Sequence, residues 1–398
     1  MTTTIIIFIC VLLLLAYLFE ITSAITKVPT VLFLLLLGWL VRQSMGMMHI
    51  AVPDLSSLLS VFGTIGLILI VLEGSLELEL HKSKLPMIGK SAIIAVISLL
   101  VMSLFLAYLL HFTQNVEFKI ALANAIPLCV VSSAIAIPSS RGLQSENRQT
   151  VIYESSLSDI LGVLFFNFIV LNETIDAGSF GNFFIQLLLI IVISFLAVAG
   201  LAFILSRIKH HVTFTPIILL VILIYYLSKL YHLPGLVFIL VFGLFLGNLE
   251  VFKKFNWIKR LRPHKLDVEV QKFKRITIEA TFLIRTLFFM MFGFMMNLNE
   301  IMNLNTLPWA VMIVVVGLLI RWGILRWMKM PVNPLLFLSP KGLITILLFL
   351  SIPASQNLPL VNKSLVIQVI VISILTMTYG IMKREKTIIP EEEYQSAK

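Results

Sequence analysis

Apolar stretches near 20 residues recur along the whole chain, each closed by a short polar or charged segment. A helix of about 20 residues is what crosses a hydrocarbon core of about 30 Å. Backbone in lipid must satisfy its own hydrogen bonds, so stretches of this length and apolarity are read as helices. Composition agrees: 59% of the residues are hydrophobic and 13% charged, where a soluble domain carries about a quarter charged. The expected class is an all-α polytopic membrane protein.

Hydropathy and turn signals divide the chain into about thirteen spans: 4–19, 28–41, 57–76, 88–111, 117–139, 148–171, 181–206, 214–231, 234–250, 277–297, 306–328, 335–354 and 361–382. The first, in "MTTTIIIFICVLLLLAYLFE", lacks a basic leader and a small-residue cleavage site, so it reads as a membrane helix and not a signal peptide. With the N-terminus outside, Lys27, Lys82, Lys84, Arg141, Arg148, Arg207, Lys209, Arg326, Lys329, the run "KKFNWIKRLRPHKLDVEVQKFKR" and the tail "KREK" all fall inside. Only Arg42, Lys119, Lys229 and Lys363 fall outside, and the C-terminus is then inside. The formal net charge of +10 is therefore a positive-inside signature and calls for no nucleic acid. Cys10 and Cys129 both lie in apolar runs, which indicates neither a disulfide framework nor a cysteine metal site.

The segment 251–275 is read as the one long polar loop, an anchor against anionic lipid. Residues 383–398 form a short cytoplasmic tail on a single transmembrane domain. Within that domain, "GTIGLILIVLEGSLELELHKSKLP" (63–86) and "RTLFFMMFGFMMNLNEIMNLNTLP" (285–308) share length and layout. They relate the third, fourth and fifth spans to the tenth, eleventh and twelfth. A shift by an odd number of spans inverts orientation, giving two inverted-topology repeats, about 4–171 and 214–382, around a linker helix at about 181–206.

The repeat places two breaks in register. The fifth span holds Pro127, Ser132, Ser133 and Pro138; the twelfth holds Ser339, Pro340, Lys341 and Gly342. Proline removes a backbone donor and glycine permits unwinding. Paired broken helices at corresponding positions point to a transport site at the membrane midplane.

Beside them lies "YESSLSDILG" (153–162). At about 100° per residue, Ser155 and Asp159 share a face, Ser158 adjoins it, and Glu154 lies about 140° away from Asp159. The two acids therefore need different partners. Asp159, flanked by hydroxyls, suits a dehydrated monovalent cation or a proton, held competitively. Glu154 suits an ion pair, with Arg321, mid-way along its span in "LLIRWGIL", as the first choice of partner and Arg285 as the alternative. Lys341, at the twelfth-span break, suits exposed carbonyls at a half-helix C-terminus. Glu73 is the deepest acid of the third span, either a cation ligand or an interfacial residue.

These motifs resemble those of the monovalent cation:proton antiporters, in the electroneutral sodium/proton exchanger branch. "YESSLSDILG" is similar to the sixth-helix motif, "LEGSLELEL" to the third-helix signature, "LLIRWGIL" to the eleventh-helix arginine segment and "SPKGLITILLFLSIP" to the twelfth-helix segment. The resemblance implies crossed broken helices, a homodimer and an elevator-like movement. It implies Asp159 as the carboxylate that takes cation or proton, Ser155, Ser132 and Ser133 as ligands, Glu73 as an ancillary acid, and Glu154–Arg321 as a stabilising pair. Two positions depart from the family: Ser132-Ser133 stands where a Thr-Asp is usual, and Ser158 where an asparagine is usual. A single acid implies exchange of one cation for one proton without net charge; the missing acid at the break leaves sodium and potassium open, with sodium expected before potassium. No cofactor is implied beyond the transported ions, and the compact chain points to a bacterial plasma membrane. The competing classes are an intramembrane transferase acting on a lipid-linked substrate and a non-transporting sensor on the same fold. The seven histidines, all at or near span ends, do not form the cluster a transferase would need.

Overall fold

The computed structural model describes residues 2–26, 28–48, 55–78, 80, 82–172, 176–207, 214–231, 233, 235–248 and 263–383. Lys27, Glu79, Lys209, His49, His81, His210, His211, His232, residues 251–262 and the tail beyond 383 lie outside them. The described residues are helical and contain no strand. In order they are α1 (Thr2–Thr26), α2 (Thr30–Met47), α3 (Ser56–Glu77), α4 (Leu85–Gln114), α5 (Phe118–Cys129), α6 (Ser133–Ser139), α7 (Ser145–Leu171), α8 (Ala177–Arg207), α9 (Phe214–Leu230) and α10 (Gly235–Gly247). They continue with α11 (Pro263–Met295), a single turn at Leu298–Ile301, α12 (Leu307–Trp327), a 3₁₀ turn at Leu335–Phe337, α13 (Leu343–Leu350) and α14 (Lys363–Met382). Among the described residues, nine segments are long and apolar enough to cross a membrane, counting Phe118–Ser139 as one, and three shorter apolar helices accompany them.

One sequence reading is corrected. Residues 263–275 are not part of a loop but the first turns of α11. Val270, Phe273 and Thr277 recur at helical spacing and are buried, while Gln271, Lys272 and Arg275 face outward. Phe273 packs edge-on against Phe242 at 6.5 Å. A charged segment with a buried apolar stripe gains more as a helix than as a loop, which hydropathy averaging hides.

The helices pack as two groups. In the first, α11 lies against α2 and α3, α10 against α3, and α1, α8 and α9 join these. In the second, α4 packs on α5, α7 and α12, with α6 against α7 and α14 against α12. The groups meet chiefly where α3 touches α6, α7 and α13. Along α7 the buried stripe runs through Val151, Ser155, Ser158, Asp159, Gly162 and Phe166. Polar residues thus occupy the face an ordinary core helix would fill with leucine. At Gly162 the space of a side chain is taken by Val130, which lets the fifth-span break lie directly on α7.

Candidate functional site

Two broken spans cross beside α7. In the fifth, α5 stops at Cys129, Val130 is extended (φ −65°, ψ 136°), as is Ser132 (φ −84°, ψ 115°), and α6 restarts at Ser133. Pro127 lacks a helical donor, and the β-branched Val130–Val131 pair favours extended backbone. In the twelfth, the chain runs from the 3₁₀ turn through Leu338–Gly342 before α13 begins.

Every backbone group freed at such a break must find a partner in a dry environment. The Ser132 N–H donates across to Pro340 O at 2.9 Å, joining the two breaks directly. Val131 N–H donates to Ser158 Oγ at 2.9 Å. Ser133 N–H, the first of α6, donates to Asp159 Oδ2 at 3.2 Å, and the Ser133 hydroxyl donates to the same oxygen. At the other half-helix end, Lys341 Nζ donates to Cys129 O at 2.6 Å. The Lys341 N–H itself donates to Ser373 Oγ at 2.9 Å. A carboxylate therefore sits at the N-terminus of α6 and an ammonium at the C-terminus of α5, each complementing the partial charge of the helix end it faces. Gly342 closes the crossing: a Cβ there would lie 2.9 Å from Ser132 Oγ and meet the Ile135 side chain. Gly342→Val is expected to force the breaks apart and lower the apparent melting temperature in detergent, with the protein still in the membrane fraction.

Glu154 and Asp159 serve different partners. Of the two arginines, Arg321 reaches Glu154, through Nη1 to Oε1 and Nη2 to Oε2 at 2.8 Å, and Arg321 Nε donates to Leu335 O at 2.8 Å. This fork-to-fork pair is almost wholly buried, with both side chains 2% exposed. It ties α7, α12 and the 3₁₀ turn of the twelfth span into one unit. Arg285 instead lies 4.0 Å from Glu20 and donates to Ala134 O at 3.5 Å.

Asp159 is 1% exposed. Its second oxygen, Oδ1, is buried and accepts no hydrogen bond, and Ser132 Oγ, on the residue before Ser133, is likewise buried without a partner. Ser155 turns its hydroxyl proton back to Val151 O at 2.7 Å and not to Asp159. Glu73 is half-buried on α3. The Thr281 hydroxyl faces it, and its charged neighbours are Arg285, Glu77 and Arg141, not Asp159. Sequence reasoning missed Glu20, which accepts from Thr30 Oγ1 at 2.8 Å and pairs with Arg141 at 2.9 Å. Lying just past an apolar run, Glu20 carried no motif that could have flagged it. Beside it opens a cavity of about 390 Å³, lined in part by Glu20, Arg141, Arg285, Thr286, Ala134 and Ile135. It reaches from the C-terminal end of α1 to the first turn of α6.

Ser158, which stands where an asparagine is usual, serves the break. Its Oγ accepts from the Val131 N–H, between the extended Val130 and Ser132. Ser158→Ala would leave that N–H unpaired in a dry site, a cost of about 1–3 kcal/mol. Thermal unfolding in detergent should show the loss, and Ser158→Asn, which keeps an acceptor, should recover most of it.

Chemically, a buried carboxylate with one oxygen tied down and one open is stable when a proton or a desolvated cation meets the open oxygen. The profile of the family described as "Sodium/hydrogen exchanger, transmembrane" matches residues 10–383. The chain belongs to the sodium/hydrogen exchanger family. It is thus an integral membrane protein in a family of cation:proton antiporters, transporters and not enzymes, and the resemblance read from the motifs named the same superfamily. Among solved structures the exchanger's fold is similar to that of the sodium proton antiporter MjNhaP1 from Methanocaldococcus jannaschii at pH 8. That match has a TM-score of 0.70 and 18% identity, and covers 96% of each chain. A second structure of MjNhaP1, from electron microscopy, matches with a TM-score of 0.67 at 17% identity, covering 100% of this chain and 97% of that one. No curated protein matches the exchanger in sequence.

Proposed function

We propose that the protein exchanges one monovalent cation, sodium in preference to potassium, for one proton, with Asp159 binding the two alternately. The observation that carries this reading is the Asp159 carboxylate: Oδ2 is held by Ser133 at the start of α6, and Oδ1 is buried without a partner. Ser132 Oγ supplies a second open oxygen on the neighbouring residue. Ser133 orients the carboxylate, Ser158 holds the break, and Ser155 supplies a further oxygen on the Asp159 face of α7. Glu73, beside Arg285, stands on the approach to the site. Around Asp159 the other buried charges of the second group are Glu154, Arg321 and Lys341. None of these need change during the cycle, so cation-loaded and proton-loaded forms carry the same charge. Exchange is then electroneutral.

Movement of the second helix group against the first, in elevator fashion, carries the site between the two sides. The two groups correspond to elements contributed by both inverted repeats, with the N-terminus outside by the charge distribution. The cavity beside Glu20 is then open to the cytoplasm. The protein acts as a homodimer in a bacterial plasma membrane, and the basic residues Lys272, Lys274 and Arg275 at the start of α11 lie against anionic lipid.

The test is a proton-gradient assay in proteoliposomes or inverted vesicles. Addition of Na⁺ should collapse the interior acidity more strongly than K⁺, and a membrane-potential dye should stay silent. No cation-dependent signal from folded protein ends the antiport reading; a dye response under balanced conditions ends electroneutrality alone.

A further inference from the structure

Among the described residues, polar links join the two helix groups through Glu20, Glu77 and Arg285. Glu20, on α1, pairs with Arg141, in the turn between α6 and α7, at 2.9 Å. Glu77, at the C-terminus of α3, pairs with Arg148, on the first turn of α7, at 3.9 Å. Arg285, on α11, donates to Ala134 O of α6 at 3.5 Å and stands 4.0 Å from Glu20. Thr30 Oγ1 holds the other Glu20 oxygen from within the first group, which fixes the carboxylate for Arg141.

These pairs differ in kind from Glu154–Arg321. That pair is bidentate, within one group and 2% exposed at both residues. The pairs between groups make a single close approach each, with Arg141 54% and Arg148 40% exposed against 17% for Glu20 and Glu77, so each arginine is the solvent-facing partner. Water can replace an exposed, monodentate partner at small cost, whereas separating a buried fork would strand a charge. The molecule thus places a permanent pair inside the moving unit and breakable pairs at its boundary.

We propose that Glu20–Arg141 and Glu77–Arg148 form a two-point latch that holds the groups in the arrangement with the Glu20 cavity open, and that both pairs part when the site changes sides. The proposal rests on the alternating-access reading above. Contacts present in one state and absent from the other bias the equilibrium between them by their differential energy.

The test measures cysteine labelling rates in the full chain, reconstituted in membranes, with Cys10 and Cys129 replaced by alanine. Ser139→Cys reports the Glu20 cavity, and Asn167→Cys reports a cavity of about 490 Å³ that α7 lines further along, with Asn182 and Lys229. Combining Glu20→Gln with Glu77→Gln should slow labelling at 139 and speed it at 167, each by about threefold, the scale set by weak exposed ion pairs. The swap of Glu20→Arg with Arg141→Glu should return both rates towards those of the parent. Unchanged rates in the double variant, or a swap no better than Glu20→Arg alone, overturn the latch. The parent itself should shift the two rates reciprocally between sodium-rich alkaline and sodium-free acidic buffer. A parent that never does so overturns alternating access and the latch with it; a parent that does, with inert latch variants, overturns the latch alone.

Discussion

Replacing Asp159 with asparagine will abolish cation-dependent proton movement while leaving a folded protein. Asparagine nearly matches the carboxylate in shape, and its amide oxygen can still accept from the Ser133 N–H and hydroxyl that now bind Oδ2. What it cannot do is exchange a proton, or supply the negative charge that makes dehydration of a cation worthwhile. The cation-dependent signal in the vesicle assay is expected to fall to background, since intramembrane carboxylates of this kind mark ion and proton pathways. Thermal stability should hold or rise, because a charge that costs about 3 kcal/mol on membrane insertion scales has been removed. Asp159→Asn protein that transports normally would move the exchange site elsewhere in the chain.

Removing one side of the buried fork has the opposite signature. Glu154→Gln should lower stability by about 3–5 kcal/mol, because it strands the Arg321 guanidinium in a dry bundle with Leu335 O as its remaining partner. The apparent melting temperature in detergent should fall by several degrees. Glu154→Gln combined with Arg321→Gln removes the stranded charge and should recover more than half of that loss. Two single costs that simply add would mean the residues are not coupled, since only interacting neighbours depart from additivity. Transport in the double variant is expected to survive in part, because the pair braces the bundle without meeting the ion.

How far these assignments were legible in the sequence differs from residue to residue. Helical spacing alone separated Glu154 from Asp159, because angular position on one helix is a local property. It also placed Ser155 on the Asp159 face, yet the hydroxyl that holds Asp159 belongs to Ser133, 26 residues away. Ser155 had a nearer acceptor in its own helix, the Val151 carbonyl. The resemblance already put Arg321 before Arg285 as the partner of Glu154, and Arg321 is the one that reaches it, although spacing along one helix could not show it. Both are isolated cations in apolar runs, and packing of α12 within the second group is what brings Arg321 to Glu154. The basic segment 263–275 misled in the other direction. Its charge outweighed the buried pair Val270 and Phe273, which only α10 and its neighbours make worth burying.

Membrane insertion is decided residue by residue along the chain, so apolar length, positive-inside asymmetry and the proline and glycine breaks were all written in linear order. Those features determined an all-helical membrane protein, the broken fifth and twelfth spans, and the family. Tertiary structure decided everything that depends on one span finding another. It set Pro340 O against Ser132 N–H, Lys341 on Cys129 O, and Glu20 across from Arg141. The physical reason is that a hydrogen bond or ion pair reports the distance between two atoms. In a bundle that distance is fixed by how whole helices pack, which no single helix encodes.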